Sequence, residues 1–364
     1  MINSIMLLIN KAQLKQFYQK CQKDKIIGID TEFYRINTYF PIPCLIQISN
    51  LSQAVIIDMI DRKLDLTLLQ ELLLDKQILK VVHAGLQDIE IIYNLFGEIP
   101  SNLFDTQISL MPLGYNNSTS YSSACKDFLN IKICKEQQFI DWRKRPLSRS
   151  RKVYAINDVK HLIPLYREII KCLKLLNRTD WIKEMHSKFY HSNIFSKRAS
   201  ESWKKVKFSP KNLLELMYLK DISGLRELEA MRKNIPVKQV LENKQLILIS
   251  RSDVSIWHKK IIIGKINSSK LKKEIIKITE RKLTPKLLNP VQKKLSDKQE
   301  SLIKIAKKLI EKKSVSLNIH PSLIANKEEI KSLILGDKTI IINWKFEVFG
   351  KEYLYLKKLI AGSY

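Results

Sequence analysis

Four carboxylates lie at the edges of apolar segments, and they restrict the possible folds of this chain more than any other feature of its sequence. Asp30 and Glu32 end one apolar run, Asp88 lies near the start of another, and Asp158 follows Tyr154 by one helical turn. Buried anions are costly unless a counter-charge is nearby. The fold is therefore expected to bring these carboxylates together around a shared positive charge.

A pair of divalent cations would supply that charge. Magnesium and manganese prefer carboxylate and water oxygens, and two such ions about 3.5–4 Å apart can cleave a phosphodiester. Taken one at a time, the acids have simpler interpretations. Asp30 and Glu32 could form a solvated strand end, and Asp88 could be a favourable acid in the first turn of a helix. Their combination and order indicate a metal site.

Tyr154 and Asp158 are spaced i and i+4, which places them on one helical face. A tyrosine beside a metal-bound carboxylate can orient the attacking water and help to deprotonate it. The alternative is an ordinary tyrosine on a half-buried helix face. His83 lies where a strand turns into a helix, and there a structural histidine is commoner than a catalytic one.

The first half of the chain alternates strand and helix patterns, which predicts an α/β domain of about 175 residues. Apolar runs predict strands at 26–30, 44–49, Ala54–Asp58 and Leu79–Val82. Short turns join the first three of them, which favours an antiparallel meander. Helical patterns cover 66–74, Leu86–Phe96 and 150–176; Gly97 is expected to end the second and Pro164 to kink the third. Asp105 is a natural helix N-cap.

The second half of the chain has a different pattern, with helical segments rich in lysine, leucine and isoleucine. These segments are predicted at 212–220, 224–232, 236–242, 268–281, 297–313, 321–325, 327–335 and 351–360. Breakers at 209–210, 289–290 and 336–337 separate them. The pattern predicts two small helical domains with a seam near Asn289-Pro290.

The positive charge of the chain is concentrated in this helical half. The whole chain has a net charge of +28; residues 1–180 contain 24 Lys+Arg against 18 Asp+Glu, and residues 181–364 contain 40 against 18. A basic region of this size attracts polyanions, above all nucleic acid. Compositional drift toward lysine is the alternative, but drift should not favour one half so strongly.

The five cysteines give no sign of a disulfide framework or a zinc site, because their number is odd and none are spaced C-x-x-C. A reducing compartment fits this pattern. The longest uncharged stretch, 36–57, is broken by prolines and polar residues and does not resemble a membrane span. The sequence therefore predicts a cytoplasmic protein that needs neither a membrane nor a small organic cofactor.

Several motifs together resemble those of the ribonuclease D family within the DEDD exonuclease superfamily. Tyr154 places the chain in the branch with a tyrosine in the third motif. The motif segments are Asp30-Thr-Glu-Phe, 38–41, 45–47, 83–85, 104–107 and 141–147, which cover the first domain nearly end to end. The helical tail is similar to paired HRDC (helicase-and-RNase-D C-terminal) domains, with matches in 319–335.

The resemblance implies a fold, a set of domains and a site. The expected fold is a ribonuclease H-like DEDD 3′-5′ exonuclease domain with a mixed sheet at 1–178, followed by two all-α HRDC-like domains at 200–288 and 290–364. The four acids would hold two divalent ions, Mg²⁺ or Mn²⁺, with Asp30 bridging both. Glu32 and Asp158 would complete the site for the ion that carries the nucleophilic water, and Asp88 would act at the ion near the leaving oxygen.

Four other residues in the motif segments are predicted to contact substrate: Phe33, His83, Trp142 and Arg145. Phe33 directly follows the acidic pair. Arg145 could approach a phosphate, although a solvated basic loop explains it equally well. Asp105 also lies in a matching segment, but helix capping explains it and it is left out of the predicted site.

The expected activity is metal-dependent 3′-5′ exoribonuclease activity that releases nucleoside 5′-monophosphates. Its expected partner is RNA with a free 3′ end, above all tRNA precursors and other small structured RNAs. One alternative is a DNA 3′-5′ exonuclease on the same fold, because the acids do not discriminate between sugars. The other is a non-catalytic RNA-binding protein, and the presence of all four acids and the tyrosine argues against it.

Overall fold

The structure is a computed structural model that describes residues 5–8, 10–60, 65–133, 140–191, 193–281, 295–337 and 339–361. The predicted seam at Asn289-Pro290 and one of the cysteines, Cys134, lie outside these residues. Contacts divide the chain into two compact units. The first contains Met1–Glu32, Pro43–Tyr190 and Leu295–Tyr364, and the second contains Phe33–Ile42 and His191–Lys294.

A six-stranded mixed sheet forms the centre of the first unit. Its strands are β1 (Ile5–Leu8), β2 (Ile26–Tyr34), β3 (Ile42–Ser49), β4 (Ala54–Asp58), β5 (Leu79–Val82) and β6 (Leu103–Asp105). Their spatial order is β1-β4-β3-β2-β5-β6. Strands β3 and β4 are antiparallel, whereas β1 pairs with β4, β2 with β5 and β5 with β6 in parallel. This arrangement confirms the predicted mixed sheet.

Strand β1 was not predicted. Its residues are apolar, but the run is only four residues long, and a helix separates it from the first predicted strand. It pairs with β4 in the register Ile5 to Ala54. A short strand that pairs in parallel with a distant partner has little local signal, because its burial depends on contacts made far along the chain.

Helices surround the sheet in the first unit. They are α1 (Lys11–Asp24), α2 (Thr67–Leu74), α3 (Leu86–Phe96), α4 (Thr106–Leu110), a 3-10 turn (Met111–Leu113), α5 (Tyr121–Leu129), α6 (Arg149–Lys160), α7 (Leu162–Leu175) and α8 (Thr179–Phe189). As predicted, Gly97 ends α3 in the left-handed conformation and Asp105 caps α4. The sheet core consists of buried aliphatic residues such as Ile27, Ile46, Ile56 and Val81.

The predicted single helix over 150–176 is two helices, and the break lies at His161 instead of Pro164. Pro164 is the third residue of α7, where its missing N–H group costs nothing because the first N–H groups of a helix have no intrahelical partner. The Tyr121 hydroxyl lies at the break, where it accepts from the His161 N–H at 3.2 Å and lies 3.3 Å from the Asn157 carbonyl.

From His191 onward, the described residues of the second unit contain helices. Its helices are α9 (Arg198–Glu201), a 3-10 turn (Ser202–Lys205), α10 (Leu213–Lys233), α11 (Val237–Val240), α12 (Asn243–Ser250), α13 (Ile256–Gly264) and α14 (Ser269–Thr279). The two segments predicted at 212–220 and 224–232 form the single helix α10. Gly224 is inside it, where an added Cβ would lie 3.4 Å from the Ala199 carbonyl oxygen.

The C-terminal helices pack in the first unit. They are α15 (Asp297–Leu317), α16 (Pro321–Ile324), α17 (Lys327–Ile334) and α18 (Trp344–Ala361). Trp344 stacks on Trp181 of α8, with ring centroids 4.3 Å apart and planes at 19°. The Arg178 guanidinium donates to the Pro112 and Leu317 carbonyl groups. These contacts make α15–α18 part of the sheet-containing unit, and the predicted three-domain division stays a prediction.

None of the helices in the described ranges is long and apolar enough to cross a membrane.

Candidate active site

Three of the four predicted acids lie together beside β2, an inner strand of the sheet. Asp30 is the fifth and Glu32 the seventh of the nine residues of β2, and Asp158 lies on α6. One oxygen from each of these three carboxylates lies within 4.8 Å of the others. All three side chains are half-buried. The sequence separation of Asp158 from the other two is more than 120 residues, so only the fold brings them together.

Asp88 lies outside this group of three, in the first turn of α3, but its charge acts on all three of them. It is buried, with 7 % of its surface exposed. The Thr31 hydroxyl donates to Asp88 Oδ1 at 2.5 Å, which ties the start of α3 to β2 between Asp30 and Glu32. We refer to Asp30, Glu32, Asp88 and Asp158 as the acidic cluster.

Burial and mutual repulsion raise the pKa values of the acidic cluster. Burial, followed by the charges of Asp88, Asp158 and Glu32, raises the pKa of Asp30 well above its usual range. Burial and the charges of Asp158 and Asp88 raise the pKa of Glu32 to about 9. Burial is also the main cause that raises the pKa of Asp88 and of Asp158 to about 7. Carboxylates held close together in a dry site favour protons or a cation.

The acidic cluster offers the donor atoms that a divalent cation needs. All the donors are carboxylate oxygens, the ligand type that Mg²⁺ and Mn²⁺ prefer. The three grouped oxygens are close enough for one ion to lie among them. A bound ion would offset both the burial cost and the mutual repulsion that raise these pKa values.

Close packing of α6 and α7 on the sheet brings Asp158 to β2. Gly28 on β2 leaves room for this approach, because an added Cβ would lie 2.6 Å from Ser49 Oγ and 3.0 Å from Leu162 Cβ. Ser49 Oγ donates to the Val159 carbonyl group at 2.8 Å, next to Asp158. A larger residue at position 28 would therefore push against Ser49, which bonds to α6, and against Leu162 at the start of α7.

Tyr154 lies one turn before Asp158 on α6 and is half-buried. Its ring packs against Trp142, with centroids 5.9 Å apart and planes at 37°. Trp142 is buried, with 2 % of its surface exposed. The indole therefore limits the positions that the tyrosine ring can adopt. Contact of Trp142 with substrate stays a prediction.

Arg145 holds the segment that contains Trp142 against the sheet. Its guanidinium binds both carboxylate oxygens of Asp58 at 2.5 Å and donates to the Trp142 and Cys44 carbonyl groups. The Arg145–Pro146 peptide bond is cis. These contacts give Arg145 a structural role that explains its partial burial, and its contact with phosphate stays a prediction.

His83 also has a structural environment. Its Nε2 lies 3.0 Å from the Thr119 carbonyl oxygen and its Nδ1 lies 2.8 Å from Thr106 Oγ1. Because a carbonyl oxygen only accepts, Nε2 is a nitrogen that donates, and burial lowers the pKa of His83. Phe33 follows Glu32 on β2 and is half-buried. Contact of either residue with substrate stays a prediction.

Sequence reasoning missed two residues beside the site, His186 and Tyr190. They come from α8 and the residue after it, and both contact Asp105. The Asp105 N–H donates to His186 Nε2 at 3.0 Å, and the Tyr190 hydroxyl donates to Asp105 Oδ2 at 2.5 Å. Their i, i+4 spacing on an amphipathic helix was the one signal in the sequence that could have indicated a shared partner.

Comparison with known proteins supports a nuclease. A family described as a 3′-5′ exonuclease matches residues 7–174. Ribonuclease D of Sphingobium indicum is 30% identical over 368 residues, which cover 95% of this chain and 92% of that protein. Ribonuclease D of Zymomonas mobilis is also 30% identical, over 96% of this chain and 93% of that protein.

A solved structure supports the fold over nearly the whole chain. RNase D of Escherichia coli superposes with a TM-score of 0.80 and covers 98% of this chain and 99% of its own, at 22% identity. Its structure is described as that of an exoribonuclease involved in structured RNA processing. At this level of identity the similarity concerns the fold.

Proposed function

The chain belongs to the ribonuclease D family of 3′-5′ exoribonucleases, and from this premise we propose that the acidic cluster is its catalytic site. The observation that carries this proposal is the grouping of Asp30, Glu32 and Asp158 oxygens within 4.8 Å of one another. Family membership gives the enzyme class, a hydrolase that acts on phosphodiester bonds of RNA. The geometry supports the assignment of particular residues.

The acidic cluster would hold two divalent ions, Mg²⁺ or Mn²⁺. Asp30 would contact both ions, Glu32 and Asp158 would complete the site nearer the attacking water, and Asp88 would serve the site nearer the leaving 3′ oxygen. When bound, the ions would stabilise the negative charge that develops on the attacking and leaving oxygens. Without them, the same carboxylates would repel the phosphate of the substrate.

Tyr154 would orient the attacking water by hydrogen bonding and help to remove its proton. Its place one helical turn before Asp158 supports this role, and its packing against Trp142 would hold its hydroxyl in a narrow range of positions. Cleavage would release nucleoside 5′-monophosphates one at a time from the 3′ end.

Small structured RNAs, above all tRNA precursors, are the substrates that we propose. The E. coli relative is an exoribonuclease involved in structured RNA processing, and the basic helices of this chain suit an RNA body with many phosphates. The two HRDC-like domains at 200–288 and 290–364 would provide this surface. We also propose a cytoplasmic location, because Cys21, Cys44, Cys125 and Cys172 are free thiols among the described residues.

A time course on a short single-stranded RNA labelled at its 5′ end tests this function. With Mg²⁺ we expect a ladder that shortens by one nucleotide at a time, and with EDTA we expect intact RNA. An equal DNA oligonucleotide in parallel tests the preference for ribose. If the RNA stays intact in both Mg²⁺ and Mn²⁺ while the protein still binds it, the chain is a binding protein and the proposal is wrong.

Charge removal on α14 tests the role of the basic helices. Lys265, Lys270 and Lys273 are exposed near or on this helix, and we expect their joint replacement by glutamine to weaken RNA binding. Each phosphate contact contributes about 0.7 to the slope of log affinity against log salt for a single strand, so the slope should flatten by about 2. Affinity measured by fluorescence anisotropy at several salt concentrations gives this slope.

The same charge loss on α1 provides the control. Lys15, Lys20 and Lys23 are exposed there, and their replacement by glutamine lowers the net charge equally. Truncation would be a poorer test, because α15–α18 share a core with α8. If the α14 variant and the wild type give equal slopes of log affinity against log salt, these lysines do not contact RNA. The positive charge of this region would then reflect composition alone.

A further inference from the structure

We propose that Asp105 and Tyr190 are positioning residues, which hold the turn before α3 and thereby place Asp88 in the acidic cluster. This inference rests on the proposed function, because it assumes that Asp88 serves a metal ion. Helix capping had seemed sufficient for Asp105 from the sequence. The contacts of its carboxylate exceed what a cap requires.

The Asp105 carboxylate is buried, with 1 % of the residue exposed, and it accepts five hydrogen bonds. Two come from the Gln107 and Ile108 N–H groups at 2.8 and 3.3 Å, which is the ordinary N-cap arrangement of α4. Two others come from the Ala84 and Gly85 N–H groups at 3.0 and 2.9 Å. The fifth comes from the Tyr190 hydroxyl.

The turn that Asp105 holds is conformationally demanding. Ala84 has φ +55°, in the left-handed region that a residue with a Cβ rarely adopts. A Cβ on the next residue, Gly85, would lie 2.5 Å from Val82 Cγ2. Leu86, the first residue of α3, follows directly, and Asp88 is two residues further on. An unusual backbone of this kind persists only where surrounding contacts fix it.

Asp88 is thus held from two directions. The Thr31 hydroxyl fixes one of its oxygens from β2, and Asp105 fixes the N-terminal end of the helix that carries it. Carboxylates that bind metals depend on such supporting contacts, whose loss commonly costs 10–100-fold in metal affinity or activity. Release of the turn would let Asp88 move away from Asp30, whose negative charge repels it.

The Tyr190 hydroxyl donates to Oδ2, the Asp105 oxygen that has fewer donors. Asp105 Oδ1 accepts from Ala84, Gln107 and Ile108, whereas Oδ2 accepts from Gly85 and Tyr190. Without the tyrosine hydroxyl, Oδ2 keeps a single donor in a buried site. Tyr190 directly follows α8, the helix whose Trp181 stacks on Trp344, so the C-terminal helices support the turn through α8.

The Asp105→Asn substitution should keep the cap of α4 while it weakens the hold on the turn before α3. Asparagine caps helices about as well as aspartate, so its amide oxygen can keep the bonds to Gln107 and Ile108. Its amide nitrogen cannot accept from the Gly85 N–H group. We expect this variant to fold, to bind Mn²⁺ about 10–100-fold more weakly and to lose kcat by a similar factor.

Tyr190→Phe should have a smaller effect on Mn²⁺ binding and kcat than Asp105→Asn has. It should weaken Mn²⁺ binding and lower kcat by about 3–10-fold, with KM for RNA within about twofold of the wild type. The double variant should resemble Asp105→Asn alone, because Tyr190 acts through Asp105. Tyr218→Phe is the matched control: it removes a buried hydroxyl that donates to the Thr279 carbonyl group in the second unit, and should lower the melting temperature without changing Mn²⁺ affinity.

Calorimetric titration of the full-length protein with Mn²⁺ tests the positioning role of Asp105 and Tyr190. The values of kcat and KM are measured in parallel. The proposal is overturned if Asp105→Asn and Tyr190→Phe change Mn²⁺ affinity no more than Tyr218→Phe does, or if the wild type binds no Mn²⁺. Wild-type protein that binds Mn²⁺ but leaves RNA intact would contradict the proposed function instead, and the Mn²⁺ affinities of the variants would still test the positioning role.

Discussion

Asp30→Asn is expected to reduce kcat by about 10³-fold or more and to leave RNA affinity within about twofold. Asp30 is the proposed contact to both ions, and metal ions supply several kcal/mol of transition-state stabilisation, where each 1.36 kcal/mol is tenfold in rate. Asp158→Asn should behave similarly, because its oxygen belongs to the same group of three. Initial rates on labelled RNA and anisotropy binding in the same Mg²⁺ buffer measure the two quantities.

Although Asp30→Asn should lower activity, it should increase the stability of the metal-free protein. Repulsion and burial raise the carboxyl pKa values of the acidic cluster in the folded state, so that the folded protein binds protons more readily than the unfolded chain. The contribution of these groups to metal-free stability is therefore greatest below the unfolded pKa near 4, and it is lost as pH rises toward about 9, the folded pKa of Glu32. Asp30→Asn removes one repelled charge and should raise the metal-free melting temperature.

Asp65→Asn is a suitable control for both measurements. Asp65 is an exposed acid that pairs with Lys11 on the surface, and surface pairs contribute little to stability. We expect this variant to keep wild-type activity and to gain stability from Mg²⁺ as the wild type does. Hydrolysis that survives in both Asp30→Asn and Asp158→Asn would remove the acidic cluster from catalysis.

The central elements of the fold could be predicted because their signals are local. Runs of β-branched residues gave β2, β3, β4 and β5, and the apolar period gave α2 and α3 with its glycine stop. Strand β1 and the break at His161 could not be predicted in this way. The first depends on pairing with β4, and the second on a hydroxyl group supplied by Tyr121, 40 residues earlier in the chain.

The site shows the same division between local and non-local signals. Resemblance of short motifs identified the acids and Tyr154 as candidates, but their proximity depends on Gly28 and Ser49, which let α6 approach the sheet. Asp105 was interpreted as a helix cap because two of its five hydrogen bonds are local in sequence. The other three come from residues 84, 85 and 190, which no local pattern connects to it.

Tyr154→Phe is expected to reduce kcat by about 10²-fold without loss of metal. The substitution keeps the ring and its packing against Trp142, and it removes only the hydroxyl that is proposed to orient the water. A positioned group that handles a proton contributes about 10²–10⁴-fold to a rate, and the lower end applies where metal ions share the task. Unlike Asp30→Asn, this variant should retain wild-type Mn²⁺ affinity.

Tyr166→Phe is the matched control, since Tyr166 is half-buried on the neighbouring helix α7 and packs on Phe104 with centroids 4.7 Å apart. It should keep the wild-type rate. Comparison of kcat, KM and Mn²⁺ affinity across the two tyrosine variants separates a lost catalytic hydroxyl from a general loosening of the helices. A wild-type kcat in Tyr154→Phe would exclude Tyr154 from the proposed catalysis.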